Sequence, residues 1–326
     1  MDAVVRNEDP IAPRAATLPR RAPLKVRRPS FELDAADVPE RWWGDDLFLS
    51  LFGDALSLVF PEGERFFVES VRRFKDDIDD PELRAAAIAF AGQEAMHGRE
   101  HRAWNDLLVK KGLTDAPELE AQVKRLLDTG RRVLSPRAQL AVTCALEHFT
   151  ASMAEQLMEI EDDRHDIHPK MRPLWLWHAV EESEHKAVAF DVYQAVGGTY
   201  GLRVAIMLLT TALFLGKMSH IHVRFLARKK TLWNARAWAH GIDHLWRDPG
   251  MFRKLVPAYL DYFRPGFHPN DRDADALLEL WTDRLFGPNG EITRRTTAAT
   301  PALRAIARGP SRSRRTGPAT RAVFAD

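Results

Sequence analysis

The chain has one cysteine, Cys144, in 326 residues. A lone thiol excludes a disulfide framework and any CxxC metal knot, and it fits a reducing compartment. An excess of charge is also missing. Lys and Arg total 47 against 46 Asp and Glu, for a formal charge of +1. That balance hides an asymmetry. Residues 1–31 hold seven basic residues against three acids and 289–326 hold eight against two, so the body between them carries −9. An acidic body has no nucleic-acid footprint. The N-terminus MDAVVRNEDPIAPRAATLPRR has no apolar core of the kind a secretory signal needs, and a cytoplasmic location is expected. Runs of alternating apolar and polar residues are absent as well, which excludes a sheet and leaves an all-α body.

The ends differ in composition from the middle. Residues 1–30 and 288–326 are rich in Arg, Pro, Thr and Ala with few large apolar groups, and both read as disordered tails around one helical domain, 31–287. A first helix is expected from about Leu51 or Pro61 to Ile78. Within it Phe60, Glu64, Phe67, Val71, Phe74 and Ile78 fall on one stripe at about 100° per residue. A second, opened by Pro81 and stopped at Gly112, carries Leu83, Ala87, Phe90, Glu94, His97, His101, Trp104 and Leu108. The polar segment Thr114 to Ser135 is expected to hold a short helix. The third helix begins at Ser135 and Pro136 and carries Leu140, Cys144, Glu147, Ala151, Ala154 and Met158. A fourth follows HPKMRP with Leu174, His178, Glu181 or Glu182, His185, Val188 and Val192.

Four apolar seams thus contain acids or imidazoles, and an unpaired buried carboxylate costs several kcal/mol. A metal centre compensates that cost. The order along the chain is Glu64, then Glu94-Ala-Met-His97, then Glu147, then Glu182-Ser-Glu-His185. Single, pair, single, pair is the order of the ferritin-like di-iron and di-manganese carboxylate bundles, and the fold expected is a ferritin-like four-helix bundle with additional C-terminal helices. Residues i and i+3 share a helix face, so each Glu-x-x-His is expected to serve one metal with both side chains. The tetrad alone is weak, since about one such pair arises by chance in a chain with 12 histidines. Its weight comes from both pairs falling on apolar stripes of separate helices, interleaved with stripe glutamates.

Neighbouring residues are sorted by the same stripes. Glu69 lies about 140° round from Glu64, on the solvent side. Glu182 is preferred over Glu181 for its i+3 relation to His185. His178, four before Glu182, and His101, four after His97, are candidates either to bind metal or to hold a residue that does. His148, about 100° from Glu147, reads as structural or as holding a residue that binds metal. His220, His222, His240 and His244 lie outside the four seams and are not expected to ligate. His268 sits in the turn PGFHPNDRD, where ordinary turn packing is the default.

At FPEGERFF (60–67), GQEAMHGREH (92–101), ALEHFTA (145–151), WHAVEESEHKAVAFDVY (177–193) and YFRPGFHP (262–269) the chain resembles the bacterial family of predicted metal-dependent hydrolases. The resemblance runs over about 26–286. It implies metal-site roles for Glu64, Glu94, His97, Glu147, Glu182 and His185, and adds His101 and His178 to the metal set. His-x-x-x-Glu-x-x-His on the fourth helix is also similar to the arrangement in di-iron arylamine N-oxygenases.

The cofactor expected is therefore two metal ions, iron first, with manganese or a mixed Fe/Mn pair as alternatives, because oxygen and nitrogen donors without thiolate suit these metals. The function expected is dioxygen-dependent oxidation of a small apolar substrate. The alternative is metal-dependent hydrolysis by an activated water, and a third class is a non-enzymatic metal or oxygen sensor. Val204 to Leu215 is a 12-residue apolar run, short of a bilayer span, and a buried fifth helix beside the centre is its default reading. With RFLARKK (224–230) it also suits peripheral membrane contact through 202–230, or a homodimer face.

Overall fold

The computed structural model describes residues 23–164, 166–247 and 250–293. The expected tails at 1–22 and 294–326 lie outside the described residues. Among the described residues there is no β-strand, and ten α-helices follow one another: α1 Leu47–Arg72, α2 Pro81–Leu108, α3 Ala116–Val133, α4 Pro136–Arg164, α5 Arg172–His185, α6 Val188–Ala195, α7 Tyr200–Arg228, α8 Ala235–Trp246, α9 Met251–Asp261 and α10 Asp275–Phe286. The protein is all-α.

Local chemistry sets most of the helix starts. Asp46 accepts from the Leu49 amide at 2.8 Å and opens α1, four residues before the earliest expected start. Asp80 accepts from Glu82 N ahead of Pro81, Ser135 Oγ accepts from Ala138 N ahead of Pro136, and Thr199 caps α7. The first helix ends at Arg72 rather than Ile78. Ile78 is nonetheless fully buried, because the turn after α1 folds it back onto the core. The segment 114–135 holds an 18-residue helix instead of a short one.

Helices α1 and α2 pack along their lengths, α4 packs against α5 and α6, and contacts of α1 with α4 and of α2 with α5 and α6 close a four-helix bundle. The fourth expected helix is broken at Lys186–Ala187. There Lys186 turns out to meet Glu155 Oε1 and the Arg272 carbonyl, each at 2.9 Å, and α6 restarts at Val188.

A strap made of residues 23–46 crosses the bundle before α1 begins. The expected tail boundary at residue 30 cuts through it: the Lys25 carbonyl and Arg27 bond to α2 and α5, and Phe31 N donates to Glu100. A Cβ on Gly92 would come 2.7 Å from Val26 Cγ2, so glycine is what lets the strap lie this close to α2. At the other end Ile292 is buried in the core, inside what the composition assigned to the second tail.

The apolar run 204–215 lies within α7, a 29-residue helix long and apolar enough to cross a membrane by length and composition alone. Burial of a fifth helix is only partial. Its most apolar stretch is 28% buried, and Leu208, Leu209, Leu213 and Leu215 are exposed. Only the side carrying Ile206, Met207 and Thr210 meets the bundle, since α7 packs against α1 and α4 and nothing among the described residues covers its outer face.

Candidate metal centre

The four seams meet in the middle of the bundle. Glu64 comes from α1, Glu94 and His97 from α2, Glu147 from α4, and His178, Glu182 and His185 from α5; none is more than 4% exposed. They form two groups, each offering ligand atoms within 4.8 Å of one another: Glu64, His97 and His178, and Glu94, Glu182 and His185. Glu182 Oε1 joins the groups, at 3.0 Å from His178 Nε2, 3.5 Å from His97 Nδ1 and 3.6 Å from His185 Nε2. Glu147 belongs with the second group, 3.4 Å from His185 Nε2. Within Glu94-x-x-His97 the two inward atoms, Glu94 Oε1 and His97 Nδ1, lie 3.9 Å apart. His97 faces Glu64 and His178, whereas Glu94 Oε1 lies 3.0 Å from His185 Nε2.

These residues fit divalent ions. Both oxygens of Glu64, Glu94 and Glu147, with Glu182 Oε2, His97 Nδ1 and His185 Nε2, are buried without a hydrogen-bond partner. Each such group costs about 1–3 kcal/mol when left unpaired, so a cluster of them demands a common partner. Two donors bound at about 2.1 Å and at right angles to each other stand about 3.0 Å apart, the spacing at His178–Glu182 and His185–Glu94.

The remote nitrogen of each imidazole shows which nitrogen is bare. Pro61 lies inside α1 and has no N–H for the Ser57 carbonyl. Asn105 Nδ2 donates to that carbonyl instead, at 2.9 Å, which turns Asn105 Oδ1 toward Ser57 Oγ at 2.8 Å. Ser57 spends its proton on Asn105, so it accepts from His101 Nδ1 at 2.9 Å. His101 Nε2 then accepts from His178 Nδ1 at 2.7 Å, so in the neutral ring His178 Nε2 carries no proton; it faces Glu182 Oε1 at 3.0 Å and Glu64 at 3.7 Å. Both nitrogens of His101 are thereby occupied. It stands outside both groups and orients His178.

The other two follow the same rule. Gln93 Nε2 donates to Glu184 Oε2 and to the Lys25 carbonyl, so Gln93 Oε1 accepts from His185 Nδ1 at 3.1 Å and Nε2 faces the carboxylates. His97 donates from Nε2 to Glu181 Oε2 at 3.0 Å, leaving Nδ1 for the centre. Glu181 is therefore the outer partner of His97, and Glu182 the inner carboxylate. Arg27 of the strap binds Glu181 at 3.0 Å and Glu184 through two bonds of 2.7 Å, and its guanidinium lies over the Phe286 ring. Loss of the Asn105 amide would free the Ser57 hydroxyl to donate to His101, moving the His178 proton onto Nε2. Asn105→Leu is expected to weaken metal binding about tenfold by calorimetric titration while leaving the helical content unchanged.

Protons take up the charge of the cluster where no ion is bound. Burial, then the charge of Glu94 for Glu64 and of Glu182 for Glu147, holds these two carboxyls well above their ordinary range, and burial with Glu182 raises Glu94. Glu182 runs the other way. Burial opposes its ionisation, but the imidazoles of His178, His185 and His97 around it hold it well below the usual range. Against the cost of burial, Glu181 and Glu182 raise His97, and Glu147, Glu182 and Glu94 raise His185. Burial and the charge of His97 lower His178 to about 4, and burial with His178 keeps His101 well below its usual value.

Two cavities touch the centre. The larger, about 220 Å³, lies between α1, α3, α4 and α7 and reaches Glu64; the smaller, about 40 Å³, reaches His178 and Glu182. Phe60 and Thr150 line both and separate them.

The remaining candidates lie elsewhere. Glu69 is exposed and pairs with Arg131 at 2.6 Å. His148 donates to the Ala258 carbonyl and His222 to that of Phe48, while His240 pairs with Asp46 and His244 lies 3.7 Å from Asp166. His220 is exposed on α7. His268 has a role beyond turn packing: its Nε2 lies 2.8 Å from Asp191 Oδ1 on α6, fastening the turn before α10 to the bundle. Sequence periodicity missed Arg27, Gln93, Ser57 and Asn105. The one signal for any of them was Pro61, a helix-interior proline whose lost bond needed a replacement donor.

An all-α bundle whose core holds four carboxylates and three imidazoles, most of their inner atoms without a hydrogen-bond partner, defines a metal-dependent protein. The chain belongs to the family described as predicted metal-dependent hydrolases, whose model matches residues 25–273. No curated protein and no solved structure gives a match.

Proposed function

We propose that the bundle core binds two divalent metal ions, iron or manganese, in the ferritin-like manner, and uses them to oxidise a small apolar substrate with dioxygen. The observation that carries this reading is the convergence of Glu64, Glu94, His97, Glu147, His178, Glu182 and His185, with both oxygens of Glu64, Glu94 and Glu147, Glu182 Oε2, His97 Nδ1 and His185 Nε2 left without a hydrogen-bond partner. Four carboxylates balance two divalent ions, and a donor set of oxygen and nitrogen suits iron or manganese. Such a pair supplies electrons to dioxygen. The chain supplies the rest: His101, Glu181 and Gln93 hold the imidazoles in place, and Phe60, Phe67 and Leu146 give the cavity at Glu64 an apolar wall.

Hydrolysis is the second reading, and the family description favours it. There the same residues would hold redox-inert ions that activate a water, and Glu64, at the cavity floor, would be placed to take its proton. One experiment separates the two. The protein is loaded anaerobically with ferrous iron and exposed to oxygen, and a zinc-loaded sample is tested on chromogenic esters without oxygen. Dioxygen consumption coupled to substrate loss is the expected result; ester cleavage by the zinc form with no oxygen uptake by the iron form would replace oxidation with hydrolysis.

A further inference from the structure

Two glycines sit where a helix is better served by any other ordinary residue. Gly63 on α1 and Gly130 on α3 both line the 220 Å³ cavity, and glycine is among the poorest helix formers. Neither is demanded by crowding. A Cβ on Gly63 would meet nothing within 4 Å, and one on Gly130 would meet only Leu134 Cδ1, at 3.8 Å. What both substitutions would take away is cavity space. The fold thus forgoes helix stability at two places around one chamber, and the benefit lies in the chamber staying open.

Its lining says what the space is for. The walls are mostly aliphatic and aromatic, with Thr129, Thr150 and Thr210 among them, and the charged residues are Glu64 and Lys217. Glu64 belongs to the metal centre. Lys217 Nζ donates to the neutral Gln122 Oε1 at 3.2 Å, and its charged neighbour is Arg125, another cation. No carboxylate pairs with either among the described residues, so positive charge stands uncompensated beside a channel that is otherwise mostly apolar. Leu209 and Leu213 line the same wall and are exposed, so the cavity opens on the uncovered apolar face of α7.

We infer that this cavity holds a single aliphatic chain with an anionic head group, the head at Lys217 and the far end at Glu64. A dry cavity of about 150 Å³ accepts a six-carbon ring, so this one accommodates roughly eight to ten carbons. The inference rests on the metal-centre reading only in making Glu64 the reacting end; occupancy of the cavity is a separate matter.

The test is therefore one of binding. Calorimetry on the full-length, metal-loaded protein compares decanoate with decylammonium, in the wild type and in Gly63→Leu, Gly130→Leu and Lys217→Glu. Decanoate is expected to bind at least about tenfold tighter than decylammonium, and Lys217→Glu to reverse that preference. Each glycine substitution is expected to abolish decanoate binding, retain the metal content and raise Tm by about 3 °C. Equal binding of the two amphiphiles, or decanoate binding untouched by both glycine substitutions, would overturn the inference. Metal content measured on the same samples separates the outcomes. Decanoate binding without metal uptake would sink the metal centre and leave this inference standing, and metal uptake without decanoate binding would do the reverse.

Discussion

A Glu94→Leu/Glu147→Leu double variant is expected to take up no stoichiometric metal, and yet to be more stable than the metal-free wild type. In the absence of ions both carboxyls are fully buried, and beyond the shared approach of His185 Nε2 at 3.0 and 3.4 Å their oxygens have no hydrogen-bond partner. Burial, followed by the neighbouring carboxylates, pushes both up from their ordinary range. A buried polar group in that state costs about 1–3 kcal/mol, and leucine, of similar length, removes the cost. The variant should therefore gain roughly 2 kcal/mol over the metal-free wild type. Against the metal-loaded wild type the sign reverses, because a ligand at a thousand times its Kd adds about 4 kcal/mol. Thermal unfolding with and without a chelator reads both comparisons, and metal analysis reads the loss of binding. If the cluster were a structural network, the double variant would be less stable than the chelated wild type, and the chelator would not move the wild-type midpoint.

The residues of that cluster were legible because a helix repeats. Each of Glu64, Glu94, His97, Glu147, His178, Glu182 and His185 lies on an apolar stripe, and a stripe that faces a core must deliver its polar members there as well. Glu181 marks where the argument stops. It is one residue, or about 100°, from Glu182, and both are buried, because α5 is enclosed on one side by the bundle and on the other by the strap. Separating them needs the strap, and Arg27 is 154 residues away in sequence. His101 falls on the correct stripe but one turn beyond the centre, where only the Ser57–Asn105 chain shows that its nitrogens are taken. Helix α7 failed for another reason. Composition shows that a segment is apolar, but not whether a partner covers both of its sides, so a buried fifth helix was expected where half of one stands exposed.

The strap also sets the second large effect. Arg27→Met is expected to cost about 3 kcal/mol and to weaken metal binding between tenfold and a hundredfold. Arg27 is the cation that offsets Glu181, whose side chain is completely buried, and its second partner Glu184 is 16% exposed. Burial alone would favour the neutral acid at Glu181. The bonds from His97 and Arg27 keep it below the ordinary carboxylate range. Without the guanidinium Glu181 can take a proton, and a neutral acid no longer compels His97 to donate from Nε2. The His97 proton is then free to sit on Nδ1, where the metal should be. Arg27→Lys should recover only part of the affinity, because one ammonium cannot span Glu181 and both oxygens of Glu184 as the planar guanidinium does. Glu184→Gln, which leaves the Arg27–Glu181 pair intact and keeps a side-chain oxygen to accept from Gln93 Nε2, should change metal binding less than threefold. That order of severity, Met before Lys before the change at 184, separates an effect carried through His97 from a general loosening of the N-terminal strap. Loosening would lower stability in all three and leave metal affinity alone.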